Sequence, residues 1–149
     1  MTAGAAPLVL TLGDPAGVGP EIAADAWRAL SSSGPIFAVI GDAELLRRHA
    51  PVLEVTHAGD AAAVFGRALP VLHRPLRAPV TPGAPDPANA PVVADWIEEA
   101  VSLALSGEAG GVVTCPIAKA PMYASGFRFP GHTEFIAELT IDTPFSGVR

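Results

Sequence analysis

A glycine-rich segment near the start of the chain is the first candidate for ligand binding. Residues Gly13–Glu21 read GDPAGVGPE and follow the apolar run Leu8–Leu12. Glycine lets a backbone turn tightly and approach a ligand, and a helix that begins after such a loop attracts anions. The spacing G-x-x-x-G-x-G matches neither the dinucleotide fingerprint nor a P-loop. Asp14 is therefore a candidate cleft-lining residue, and a turn that binds nothing is the alternative.

A lysine follows a second apolar run. Gly111–Cys115 has the composition of a buried strand, and Lys119 comes four residues after it. Open α/β sheets bind ligands beyond the carboxyl ends of their strands, so Lys119 is placed to reach a phosphate or carboxylate. We expect it to line the same cleft as Asp14, and a solvated lysine is the alternative. Cys115 is interpreted as a small core residue, because nothing beside it would activate a thiol.

The third candidate is the segment Phe129–Phe135, which reads FPGHTEF. The Pro-Gly pair predicts a turn, Thr133 is predicted to cap a final helix over Glu134–Leu139, and His132 would stand just before that helix. A histidine there can hydrogen-bond an anionic or hydroxylated ligand. The alternative is a capped turn with an exposed histidine. The remaining histidines lack metal-ligand spacing and are interpreted as surface residues: His49, His57 and His73.

Short apolar runs alternate with helical patterns along the whole chain. This alternation predicts an α/β fold with a largely parallel sheet flanked by helices. The predicted strands are Leu8–Leu12, Pro35–Ile40, Val52–Thr56, Val71–His73 and Gly111–Cys115. The predicted helices are Pro20–Leu30, Ala43–His49, Asp60–Leu69, Val92–Leu105, Lys119–Ala124 and Glu134–Leu139. A proline-rich loop is predicted over Arg77–Pro91. After the last helix no closing strand is predicted in Thr140–Arg149, so the chain is expected to be incomplete.

Composition excludes several classes of protein. The 149 residues are 50% hydrophobic, and 9 basic against 15 acidic residues give a net charge of −6. Apolar content this high excludes a disordered chain, and the acidic balance argues against nucleic-acid binding. No apolar run reaches the roughly 18 residues of a membrane span, and the start lacks the basic region of a secretory signal. A single cysteine fits a reducing compartment, so we expect a cytoplasmic protein.

Three motifs in order carry a family resemblance. GDPAGVGPE, TCPIAK about a hundred residues later, and GFRFPGHTEF together resemble the N-terminal portion of 4-hydroxythreonine-4-phosphate dehydrogenases of pyridoxal phosphate biosynthesis. The resemblance covers essentially the whole chain. It implies that residues 1–149 form an incomplete N-terminal α/β portion of a two-domain dehydrogenase with the isocitrate/isopropylmalate dehydrogenase-like fold.

The resemblance also implies a chemistry. The family oxidises 4-(phosphooxy)-L-threonine with NAD or NADP, and the β-keto acid then loses carbon dioxide to give 3-amino-2-oxopropyl phosphate. The family works as a homodimer, with a divalent metal (zinc, magnesium or cobalt) held by three histidines. Its GHTE motif implies substrate contacts for His132 and Thr133. Nothing in this chain matches the metal histidines or the basic residues that hold the substrate phosphate, so we expect no metal ligand here.

Three alternative functions remain open at this point. One alternative is part of a family paralogue that acts on another phosphorylated hydroxy acid or on a diol. It also has the broad features of a phosphate-binding acyltransferase relative. The third alternative is a catalytically inactive truncated fragment, and we expect the 149-residue chain alone to show no turnover.

Overall fold

A parallel β-sheet forms the centre of the computed structural model, which describes residues 4–143. Within these residues five strands pair in the order β3-β4-β2-β1-β5. The strands are β1 (Leu8–Thr11), β2 (Phe37–Gly41), β3 (Val52–Glu54), β4 (Leu69–His73) and β5 (Gly111–Thr114). In the pairing register, Leu8 lies opposite both Phe37 and Gly111. The predicted α/β fold with a parallel sheet is confirmed.

Helices connect the strands and cover the sheet. They are α1 (Gly19–Leu30), α2 (Ala43–Leu46), α3 (Ala61–Val64), α4 (Ala90–Ser106), α5 (Lys119–Ala124) and α6 (His132–Leu139). Helix α1 connects β1 to β2 and so runs toward the β3 edge of the sheet. Helix α4 connects β4 to β5 and so runs toward the opposite, β5 edge. Because such crossovers are right-handed, α1 and α4 cover opposite faces.

Burial of apolar side chains on both faces holds these layers together. Strand β1 lies between two other strands, and its Val9 is fully buried, as expected for the middle of a parallel sheet. Trp96 of α4 is 1% exposed. On α1, the indole Nε1 of Trp27 donates a hydrogen bond to the carbonyl oxygen of Phe65 at 2.7 Å. This bond ties α1 to the end of α3.

Two predicted helix starts are displaced by two residues. Helix α4 begins at Ala90, two residues earlier than predicted, because Pro91 fits the first turn of a helix. Helix α6 begins at His132, and its N-cap is Gly131 in an extended conformation without a side-chain hydrogen bond. The predicted capping role of Thr133 is therefore wrong. Thr133 is the second helical residue, past the position from which a side chain can cap.

The described helices and the end of the chain bear on two further sequence predictions. Within residues 4–143, no helix is both long and apolar enough to cross a membrane. The final segment, Thr140–Arg149, was predicted to contain no closing strand, and its residues 144–149 lie outside the described part.

Candidate functional site

The chain segments that leave β1 and β5 touch each other at the carboxyl edge of the sheet. Gly13 has φ +71°, and a Cβ atom there would lie 2.3 Å from the carbonyl oxygen of Pro116. The next residue, Asp14, donates its backbone N–H to that same oxygen at 2.9 Å. Glycine is needed at position 13 because the approach leaves no room for a side chain.

Asp14 folds the glycine loop onto itself. Its carboxylate Oδ1 accepts the backbone N–H of Ala16 at 3.1 Å, and its carbonyl oxygen accepts that of Gly17 at 3.0 Å. Such local bonds are typical of aspartate in turns. The carboxylate therefore has a structural task in shaping the loop, besides the predicted place in a cleft.

A narrow cavity separates the β1 loop from α5 and α4. Its lining includes Asp14, Asp86, Asn89, Ala118 and Met122. The cavity volume is about 10 Å³, roughly what one water molecule occupies. The cavity thus brings Asp14 beside the segment around Lys119, but in this form it is too small for an organic ligand.

Lys119 is the first residue of α5 and is exposed. Its neighbours Ala118 and Pro121 line the narrow cavity, whereas Lys119 itself does not. Strands β1 and β5 are adjacent and parallel, so Asp14 and Lys119 emerge at the same edge of the sheet. The lysine side chain is accessible there to an anion in solvent.

Cys115 is buried, as predicted for a core residue. Its side chain is 3% exposed, and Sγ lies 4.0 Å from the carbonyl oxygen of Gly19. Burial raises the pKa of this thiol to about 11. The thiol remains protonated at neutral pH and is unsuited to nucleophilic chemistry.

His132 is half-buried in the first turn of α6. Burial lowers the pKa of its imidazole, because desolvation disfavours the charged form. Its Nε2 is buried and has no hydrogen-bond partner among the described residues. A neutral imidazole with one unsatisfied nitrogen is suited to bind a hydroxyl or phosphate oxygen.

His132 and Thr133 lie apart from the narrow cavity. Thr133 is exposed, and neither residue lines that cavity. Helix α6 packs against α4. The ring of Phe135 on α6 lies against those of Phe127 and Phe129, and the three ring centroids are 5.0–5.4 Å apart. His132 and Thr133 are therefore not among the residues that enclose the narrow cavity at the β1–β5 edge.

Asn89 lines the narrow cavity, and no role was predicted for it from the sequence. Its buried side-chain Oδ1 accepts the backbone N–H groups of Arg77 and Ala78 at 3.0 and 2.9 Å, and Nδ2 donates to the Ala78 carbonyl oxygen at 3.1 Å. The proline-rich loop is thus fixed to the start of α4. The sequence signal was an asparagine within the predicted proline-rich loop, three residues before the predicted helix Val92–Leu105.

The other histidines serve structural or surface positions. His73 at the end of β4 is half-buried, and its Nδ1 accepts the backbone N–H of Ala43 at 3.0 Å. The prediction that His73 is simply a surface residue is incomplete, because this bond holds the start of α2. Within residues 4–143, no group of three or more His, Cys, Asp or Glu side chains could hold a metal ion.

Sequence comparisons relate the chain to one group of biosynthetic proteins. The sequence profile of the family described as pyridoxal phosphate biosynthetic protein PdxA matches residues 34–146. A 4-hydroxythreonine-4-phosphate dehydrogenase of Caulobacter vibrioides is 56% identical over 146 residues, which are 96% of this chain and 44% of the relative. One of Methylorubrum populi is 53% identical over 143 residues, covering 89% of this chain and 41% of the relative. The chain thus spans less than half the length of these relatives.

Solved structures of dehydrogenases have a similar fold over most of this chain. The 4-hydroxythreonine-4-phosphate dehydrogenase of Klebsiella pneumoniae superposes with a TM-score of 0.77 at 30% identity, over 91% of this chain and 45% of that one. A terephthalate 1,2-cis-dihydrodiol dehydrogenase of Burkholderia xenovorans superposes with a TM-score of 0.67 at 25% identity, over 89% and 40%. The fold described above is therefore shared with dehydrogenases.

Proposed function

The chain belongs to the PdxA family of pyridoxal phosphate biosynthetic proteins, and we propose that it is part of a dehydrogenase that oxidises 4-(phosphooxy)-L-threonine with NAD or NADP. The β-keto acid formed then loses carbon dioxide to give 3-amino-2-oxopropyl phosphate. The names of the relatives support this substrate. The nicotinamide cofactor would accept the hydride, and the protein would bind and orient the reactants.

The observation that carries the proposal is the unsatisfied Nε2 of His132 within the GHTE segment. A buried polar atom without a partner costs about 1–3 kcal/mol, and a substrate oxygen would recover that free energy on binding. The depressed pKa keeps the imidazole neutral near pH 7, so it can donate or accept one hydrogen bond as the substrate requires. Its task would be to fix substrate geometry.

Three further residues are proposed to assist binding. Thr133 presents an exposed hydroxyl one residue after His132, in the first turn of α6. Lys119 presents an exposed ammonium group that would attract the carboxylate or phosphate of the substrate. Asp14 would act mainly by holding the glycine loop in place, because its carboxylate already accepts the Ala16 N–H group.

The described part of the chain contains no set of side chains that fits the divalent metal implied by the family resemblance. Residues 4–143 contain no cluster of three or more candidate ligands, so we assign no step to zinc, magnesium or cobalt here. We propose that such ligands belong to the stretch of the relatives that this chain does not match. The same resemblance is the basis for proposing a cytoplasmic homodimer in which residues 1–149 form the N-terminal α/β portion.

Substitution of His132 tests the assignment within a complete enzyme. A chimera would replace the matching 146 residues of the Caulobacter vibrioides relative by this chain, since the two are 56% identical there. In the chimera, His132→Ala should lower kcat/KM for the phosphorylated substrate about tenfold or more, as loss of one to two good hydrogen bonds implies. His57→Asn, at an exposed position, is the matched control and should leave kcat/KM unchanged. An unchanged value in His132→Ala would remove the residue from the site.

A second candidate function is oxidation of a diol. It is favoured by the likeness to the terephthalate dihydrodiol dehydrogenase, which is weaker than the likeness to the Klebsiella pneumoniae enzyme in both TM-score and identity. Giving the chimera either substrate distinguishes the two, since each predicts reduced cofactor from one compound only. A phosphate-binding acyltransferase would form no reduced cofactor with either.

A further inference from the structure

A second, larger depression lies at the carboxyl edge of the sheet, beyond the ends of β2 and β4. It runs between α2 and the segment that follows β4, and its volume is about 310 Å³. We call it the arginine groove. The residues that define it include Asp42, Glu44, Arg48, Arg77, Pro79 and Val80. The volume is at the lower end of the range of ligand sites, about 300–1,000 Å³.

The two acidic side chains of the arginine groove already have partners. The carboxylate of Asp42 accepts the backbone N–H groups of Glu44 at 2.9 Å and Leu76 at 3.0 Å. The carboxylate of Glu44 forms an ion pair with the guanidinium of Arg47. The charge of Glu44 is therefore paired with a cation, whereas the carboxylate of Asp42 is held in place by two backbone donors.

The two arginines of the groove are not compensated in this way. Three arginines elsewhere have carboxylate partners: Arg28 with Asp25, Arg47 with Glu44, and Arg74 with Glu99. The exposed side chains of Arg48 and Arg77 have no hydrogen-bond or ion-pair partner within residues 4–143. The groove thus carries two available guanidinium groups, although the whole chain has a net charge of −6.

The groove continues toward the glycine loop. A neighbouring depression of about 140 Å³ shares Leu45, Arg48 and Val80 with it. Its lining also includes Ala16 and Gly17 of the glycine loop and the acidic residue Glu21. Arg48 therefore stands between the end of β1 and the ends of β2 and β4. Ligands of open α/β sheets bind in this region, beyond the carboxyl ends of the strands.

We propose that the arginine groove binds the phosphate group of a ligand through Arg48 and Arg77. The planar guanidinium group matches phosphate oxygens in pairs and keeps its charge at any physiological pH. Two arginines without protein partners line one cavity of a chain that is acidic as a whole, and together they make a local site for an anion. The phosphate could come from the dinucleotide or from a phosphorylated amino acid, and the chemistry is the same for both. The inference does not depend on the proposed dehydrogenase reaction, because binding is measured without turnover.

Calorimetric titration of the 149-residue chain with inorganic pyrophosphate tests the proposal. We expect binding that weakens at least about fivefold in Arg48→Gln and in Arg77→Gln, as loss of one charge-assisted contact implies. Arg67→Gln is the matched control, because Arg67 is also exposed but does not line the groove. It should leave the affinity unchanged, and circular dichroism should show all three variants folded.

Two further titrations identify the source of the phosphate. If NADP or NAD binding weakens in the two groove variants while O-phospho-L-threonine binding does not, the site is for the dinucleotide, and the reverse assigns it to the amino acid. Absence of pyrophosphate binding would overturn the proposal, as would equal weakening in all three variants. Because no assay here requires turnover, a failed dehydrogenase test would leave the result intact.

Discussion

Replacement of Gly13 by alanine probes the contact between the segments that leave β1 and β5. Two penalties act at this position. The backbone has φ +71°, which an L-residue adopts at a cost of about 1–2 kcal/mol. A methyl group would also lie 2.3 Å from the carbonyl oxygen of Pro116 and 2.7 Å from that of Cys115. Both neighbours are backbone atoms and cannot rotate away.

The size of the effect of Gly13→Ala depends on the contacts that the new methyl group breaks. Separating the two segments breaks the 2.9 Å hydrogen bond from Asp14 to Pro116, which contributes about 0.5–1.5 kcal/mol. Alanine also lowers the conformational entropy of the unfolded chain, which raises the free energy of unfolding by about 0.4–1 kcal/mol. With the additional strain of the close contact, we expect Gly13→Ala to lower the free energy of unfolding by about 2–4 kcal/mol, a large part of the roughly 5–15 kcal/mol of a typical domain.

Urea unfolding followed by circular dichroism measures the effect. Gly83→Ala is the matched control, since Gly83 has φ +78° but open space where the methyl group would go. It should cost only the backbone penalty, about 1 kcal/mol. A loss in Gly13→Ala no greater than that in Gly83→Ala would refute the close approach of the two segments.

Three other predictions concern buried polar groups. Asn89→Ala should lower the free energy of unfolding by about 2–3 kcal/mol, because it leaves two backbone N–H groups of the proline-rich loop without their acceptor. The control Ser106→Ala, at an exposed position, should lower the free energy of unfolding far less in the same urea titration. Because the pKa of His132 is lowered in the folded chain, the unfolded chain binds a proton on this imidazole more readily than the folded chain does. The free energy of unfolding should therefore be highest above the ordinary histidine pKa near 6.5 and should fall as pH drops below it. His132→Gln should flatten this fall in free energies of unfolding measured between pH 7.5 and 5. With a pKa of about 11, the thiol of Cys115 should react with a thiol reagent at pH 7.5 only as fast as the protein opens, and reaction at the rate of a free cysteine would contradict its burial.

The main elements of the fold follow from local sequence patterns. The run that became β1 is apolar at every position except Thr11, which is typical of a strand buried on both faces. Parallel pairing follows from the alternation of such strands with helices. Because carboxyl ends of parallel strands share one edge, the common location of Asp14 and Lys119 could also be predicted.

Other features depend on contacts that local patterns do not contain. The start of α6 was misplaced by two residues because Gly131 in an extended conformation acts as N-cap without any side-chain bond, whereas the sequence offered Thr133 as a more usual cap. Arg48 and Arg77 are 29 positions apart and line one depression only because β2 and β4 are neighbours in the sheet. Likewise, the hydrogen bonds of Asn89 join residues 11 and 12 positions away.

We propose that this chain supplies the N-terminal part of a 4-(phosphooxy)-L-threonine dehydrogenase. Formation of NADH or NADPH by the chimera with the Caulobacter vibrioides relative tests it most directly, with the phosphorylated substrate and a divalent cation supplied. We expect substrate-dependent cofactor reduction by the chimera at a rate within about tenfold of the parent enzyme, a difference of about 1.4 kcal/mol in activation free energy. We expect none by the 149-residue chain alone. A folded chimera that forms no reduced cofactor while its parent does would contradict the claim.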